Sequence, residues 1–285
     1  GWNLISKSKH PSTSFFLIAS GVGTMLLSPL PVIYHEALAR IPARVWALLV
    51  VTALFMALYY VSLAGAYRSG HMTIAYPMAR SSPIIVVSVV AFILGRGDQI
   101  SARCILGIIL VVTGCFLLPM RRFGDFRLSN YINTTCGLAL LAAIGTAGYS
   151  IIDDEALRHL RNTPGLGLDN TRATLLYAFL DASLSTFWLV LVVATSRGGL
   201  SDLRRNLQTN AGHAAVTGIS IWASYALILV SLAFVRNVSY VAAFRQLSIP
   251  LGTALGILVL REPAYRPKIA GVTIIFLGLM LVATG

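Results

Sequence analysis

Two arginines and two aspartates lie where the sequence otherwise avoids charge. Arg80 and Arg245 each sit about ten residues inside an apolar run. A guanidinium at the centre of a membrane costs at least about 2.5–3.5 kcal/mol on insertion scales, so such a group normally turns to a cavity or a partner. Two of them in one cavity favour a carboxylate or a phosphate, which each can grip through paired hydrogen bonds. The alternative is structural: each pairs with a helix-end carbonyl or an acidic residue, or snorkels to an interface. Asp153 falls near the end of GLALLAAIGTAGYSIIDDEALR, where it pairs with an arginine, carries a coupling proton, or simply ends a helix in water. Asp181, inside TLLYAFLDASLSTFWLV, reads as a proton carrier or as a salt-bridge partner of Arg80 or Arg245. Tyr76 and Tyr240 precede the arginines by four and five residues, about one helical turn, so each can share a face with its arginine. Tyr149, Tyr225, Trp2 and Trp222 are further candidates for lining a cavity, against the commoner role of packing or interface anchors. Asn3 and Ser248 complete the candidate substrate contacts, and Asp153 and Asp181 are the candidates for coupling or gating.

Other chemistries lack their residues. His10, His35, His71, His159 and His213 fall at or near the ends of apolar runs and form no HExxH pattern. Cys104, Cys115 and Cys136 show no CxxC spacing and read as small buried apolar residues. A GxSxG elbow is absent, and so is the GxxxxGK[ST] loop of ATP-driven machines. The expectation is a chain without catalytic residues, metal or cofactor.

The elements that carry these residues follow from composition. Of 285 residues, 56% are hydrophobic and only 11% charged. Soluble domains carry about 25% charged residues, so a water-soluble enzyme or nucleic-acid-binding domain is disfavoured despite the net charge of +12. The basic residues lie between apolar runs, where they face lipid headgroups and water. A bilayer-spanning helix needs roughly 20 apolar residues. Nine runs of that kind occur, with the opening GWNLISK as the end of a tenth whose remainder is expected upstream. Backbone groups must pair internally in lipid, and the runs do not alternate as barrel strands would, so they are helices.

A repeat organises these runs. The segments starting at Ala75 and at Ser239 each read aromatic, Arg, Pro, apolar run, charged turn, and a helix with glycines seven residues apart. Asp98 aligns with Glu262, Gly107 with Gly271 and Gly114 with Gly278, all at an offset of 164 residues. Five helices separate the copies, so the second enters the membrane from the opposite side. The expected fold is therefore an all-α membrane protein of ten transmembrane helices, the first mostly missing, in two inverted five-helix repeats over 1–120 and 131–285. The substrate site would lie near the midplane between the halves.

This pattern of Pro, apolar run, acidic turn and Gly-x6-Gly helix resembles the EamA-type domain of the drug/metabolite transporter superfamily. WNLISK, YPMAR and YSIIDDEALR resemble recurring signatures of one bacterial branch. The first copy departs from the pattern in reading GRGDQ where Glu is typical. The resemblance implies export or exchange of small metabolites across the cell (inner) membrane, with small-molecule substrate and membrane lipids as partners and no nucleic acid. A homodimer or a membrane complex would form through the glycine-bearing helices. Two rival readings stay open on the same fold: a flippase for lipids or lipid phosphates, and a non-transporting subunit of a larger membrane complex.

Overall fold

The computed structural model describes residues 12–69, 83–84, 86–87, 89–90, 93, 101–117, 120–125, 134–235, 238–247 and 264–284. Among them every regular element is helical. The helices are α1 (Thr13–Leu27), α2 (Pro29–Ile33), α3 (His35–Leu38), α4 (Ala43–Arg68), α5 (Ala102–Leu117), α6 (Thr134–Arg161), α7 (Asn170–Thr195), α8 (Gly199–Thr209), α9 (Ala211–Ser231), α10 (Val238–Phe244) and α11 (Arg266–Thr284). Among the described residues, five stretches are long and apolar enough to cross a membrane: Thr13–Ile33, Ala43–Ala66, Thr134–Arg161, Asn170–Thr195 and Ala211–Ser231. The chain is a multi-pass membrane protein.

Local signals set the ends of these helices. Ser12 caps α1, its hydroxyl accepting from the Phe15 amide, and Asp169 caps α7 by accepting from the Arg172 amide at 2.8 Å. Both satisfy donors that the first helical turn leaves without partners. Pro29 opens α2 at a position where its missing N–H is not needed. After α10 the helix tightens into a 3-10 turn, Arg245–Leu247.

The chain forms two compact units. The first comprises Gly1–Arg68 and Gly148–Phe234, and the second Ser69–Ala147 and Val235–Gly285. Each draws residues from both expected repeats, and the unit boundary falls inside α6.

In the first unit the helices meet through small residues. A Cβ on Gly218 of α9 would lie 2.2 Å from the Ala19 carbonyl oxygen of α1, and one on Gly23 would overlap the Trp222 ring. The order of these contacts makes α1 and α9 parallel. A Cβ on Gly148 of α6 would strike the Phe55 ring of α4 at 2.4 Å. Ser20 and Thr24 of α1 both hydrogen-bond Thr186 of α7, at 2.8 and 3.1 Å.

In the second unit the glycine-bearing helices pack on each other. A Cβ on Gly107 would lie 2.5 Å from the Gly278 carbonyl oxygen, and one on Gly114 would lie 2.6 Å from that of Gly271. This register makes α5 and α11 antiparallel with their backbones in close contact. Lipid tails are as apolar as leucine, so close backbone approach rather than hydrophobic exclusion drives such pairing. Gly114→Ala should lower the stability of the detergent-solubilised protein by about 1–3 kcal/mol, because the methyl group meets a backbone oxygen. Gly137→Ala in α6, where a Cβ meets nothing within 4 Å, should be neutral or stabilising by up to about 1 kcal/mol. Thermal unfolding of the two variants side by side checks the contrast.

Candidate functional site: a buried carboxyl cluster

Asp153 lies in α6, eight residues before the helix ends. Its side chain is 1% exposed. It is therefore not a helix end meeting water. One carboxylate oxygen, Oδ1, accepts from the Thr52 hydroxyl of α4 at 2.7 Å and from the Tyr177 hydroxyl of α7 at 2.8 Å. The other, Oδ2, accepts from the Tyr225 hydroxyl of α9. Four helices thus converge on one carboxyl group. Each donor lies in a run of apolar residues, where a hydroxyl has few other partners.

Asp181 occupies the middle of α7 and is fully buried. Its Oδ1 accepts from the Ser185 hydroxyl one turn later, at 3.3 Å. Its Oδ2 has no hydrogen-bond partner. The Tyr225 hydroxyl, which donates to Asp153, is also within interaction range of Asp181, and the two carboxyl groups interact electrostatically. Among the described residues Asp181 forms no ion pair, and Arg80, one of its two expected salt-bridge partners, lies outside them. Tyr177 and Asp181 stand four residues apart and so share a face of α7.

Aromatic rings line the cluster. Trp222 packs edge-on against Tyr225 at 5.5 Å, Tyr225 against Tyr149 at 5.8 Å, and Tyr149 against Tyr59 at 6.0 Å. The Tyr149 carbonyl also lies 3.4 Å from the Thr52 hydroxyl. Trp222 Nε1 and Thr217 Oγ1, both on α9, are buried without hydrogen-bond partners. Buried polar atoms normally find partners, so three such atoms in one unit mark a region in which packing is not the only constraint.

The acidic residues next along α6 have a different role. Asp154 pairs with Arg158 at 3.0 Å, while Glu155 meets His159 at 3.0 Å and Arg44 at 3.5 Å. Arg161 donates to the Thr174 hydroxyl at 2.8 Å and to the Leu229 carbonyl at 3.0 Å, joining the ends of α6, α7 and α9. The Leu229 carbonyl belongs to the last turn of α9 and also accepts from the Leu232 amide at 3.2 Å, so Arg161 adds a second donor to a helix-end oxygen.

The remaining sequence candidates divide into two groups. Arg80, Tyr76, Trp2, Asn3 and Ser248 lie outside the described residues. Tyr240 of α10 is half-buried and within hydrogen-bonding range of Cys104. Arg245, also half-buried, opens the 3-10 turn after α10 rather than sitting in the middle of a regular helix. Thr52 and Tyr177 were not among the sequence candidates. The signal for Thr52 was a lone hydroxyl in WALLVVTALFM, and that for Tyr177 its spacing from Asp181. Among the described residues no three His, Cys, Asp or Glu side chains gather as a metal site.

Such a cluster can take up or release a proton, or hold a polar group, in surroundings from which water is excluded. Intramembrane ionisable groups are typical of ion and substrate pathways. Residues 3–120 match the model of the EamA-like transporter family. This is the family that the repeated sequence pattern resembles, and the match lies within the first expected repeat. No curated protein matches the chain.

Tyr177→Phe should destabilise the protein by about 1–3 kcal/mol, because it leaves a buried carboxylate oxygen with one donor fewer. The cost should shrink in an Asp153→Asn background, where that charge is absent. A double-mutant cycle by thermal unfolding in detergent reads this coupling.

Proposed function

We propose that the protein is a secondary active transporter of the inner membrane that exports or exchanges a small polar or anionic metabolite by alternating access. Asp153 and Asp181 are its coupling groups, and the protein is not an enzyme. The observation that carries this reading is the pair of buried carboxyl groups in the first unit. One is held by hydroxyls from three other helices, and the other has an oxygen without a donor. An uncompensated carboxylate inside a bundle is strongly disfavoured. A proton on Asp181 removes that charge, so binding and release of a proton there can bias one conformation of the transporter over another.

The layout belongs to the same proposal: ten helices, as two inverted five-helix repeats over 1–120 and 131–285. The α5–α11 contact supports it. The repeat offset maps Gly107 onto Gly271 and Gly114 onto Gly278. Exchanging the copies turns the Gly107–Gly278 contact into Gly271–Gly114, which is the other contact observed. A pair of antiparallel helices related in this way obeys a local two-fold axis across their length, as an inverted repeat requires.

Substrate contacts are assigned to Arg80, Arg245, Tyr76, Tyr240, Trp2, Asn3, Tyr149 and Ser248. Guanidinium groups favour carboxylate- or phosphate-bearing substrates. A thermal-shift screen of the purified protein against organic acids, amino acids, phosphonates and nucleotide sugars identifies the ligand, because binding raises stability with concentration.

With that ligand, Asp181→Asn should keep the thermal shift and lose transport driven by a pH gradient, falling to the level of empty liposomes. Gradient-driven uptake equal to the wild type would remove Asp181 from the coupling step.

A further inference from the structure

We propose that α8 is a lipid-binding element that lies in the headgroup layer, with its leucines among the acyl chains and its arginines on anionic phospholipid headgroups. The inference rests on α7 and α9 spanning the membrane and is independent of the transport cycle.

The position of α8 follows from its neighbours. It connects the end of α7 at Thr195 to the start of α9 at Ala211, two membrane-spanning helices. It must therefore sit where those spans leave the hydrocarbon. Gly198 turns the chain with a left-handed φ of 76°, a conformation glycine adopts without strain. A Cβ on Gly199 would lie 2.1 Å from the Val193 carbonyl oxygen, so α8 starts tightly against the last turns of α7. Two side-chain bonds then fasten it to the start of α1. Ser14 donates to the Gly199 carbonyl at 3.2 Å, and the buried Asn206 donates to the Ser12 hydroxyl at 3.0 Å.

These anchors define the face that α8 turns to the protein. Gly199 and Asn206, seven residues apart, lie on that face. Leu200, Leu203 and Leu207 recur at three- and four-residue spacing, so they form a stripe beside it. Leu200 is 64% and Leu207 52% exposed, although both are apolar. Arg204 follows the leucine stripe around the helix, and Arg205 and Gln208 lie on the far side.

The charge of the segment indicates what covers the stripe. Arg197, Arg204 and Arg205 face a single acidic residue, Asp202, which pairs with Arg205 at 2.8 Å. Among the described residues Arg197 and Arg204 have no carboxylate partner. An exposed leucine stripe flanked by arginines, at the boundary of two spans, matches an acyl layer topped by anionic headgroups.

The full-length protein provides the test. Leu207→Cys takes a bimane label, since the three native cysteines are buried. In nanodiscs containing phosphatidylglycerol, lipids with a nitroxide on the acyl chain should quench the label and aqueous iodide should not. In a second arm, phosphatidylglycerol is titrated onto detergent-purified protein and thermal stabilisation is read. The midpoint should rise about fivefold for each arginine neutralised, and so roughly 25-fold in R197Q/R204Q. Quenching by iodide rather than by the lipid nitroxide overturns the proposal. So does a midpoint shared by wild type and R197Q/R204Q, or equal stabilisation by phosphatidylcholine.

Discussion

Asp153 is a carboxyl group inside a bundle of membrane-spanning helices, and it needs hydrogen-bond donors that neither lipid nor bulk water supplies. Thr52, Tyr177 and Tyr225 supply them from α4, α7 and α9. This requirement fixes more than one side chain. A helical residue is displaced by about 100° from its neighbour, so sliding any of these helices by one position turns its hydroxyl away from the carboxylate. The rotation and depth of four helices are tied to one atom group. The cost of failing to meet the requirement is large, because truncating one partner of a buried charge leaves the other unpaired in a low-dielectric interior.

The remaining contacts adapt to that constraint. Helices in lipid gain little from hydrophobic exclusion and depend on close backbone approach and interhelical hydrogen bonds. The first unit uses both: Gly218 and Gly23 bring α1 against α9, while Ser20, Thr24 and Thr186 bind α1 to α7. In the second unit, α5 and α11 meet through four glycines at the contact surface. The glycine faces of those helices are thereby occupied within the chain, and a contact between copies would use the leucine-, isoleucine- and phenylalanine-rich faces that remain exposed.

The sequence located most of the helices and fewer of the interactions. Runs free of charge place α1, α4, α7 and α9 closely, because desolvation of charge dominates every other preference in a membrane. The end of α6 is the exception. Its charge-free run stops before Asp153, yet the helix continues for two more turns to Arg161. Asp153 is compensated by hydroxyls, Asp154 by Arg158 and Glu155 by His159 and Arg44. Arg158 and His159 lie one turn along the same helix, whereas Thr52, Tyr177, Tyr225 and Arg44 come from distant parts of the chain, and a count of charges without their partners registers neither kind of compensation. Tyr225 was recognisable as a site candidate from its apolar setting, whereas Thr52 and Tyr177 became so only when three-dimensional packing brought them to Asp153. The glycine pairs show the reverse case. Their matching spacing is legible in the sequence, and the structure sets these same glycines against one another in α5 and α11.

The central claim is that the buried carboxyl cluster exchanges a proton when the transporter binds its substrate. Calorimetric titration of that substrate in buffers of different ionisation enthalpy measures this exchange directly as protons gained or lost per molecule bound. The account predicts a non-zero count for the wild type that disappears in Asp181→Asn. A count of zero in the wild type, or the same count in both proteins, would contradict it.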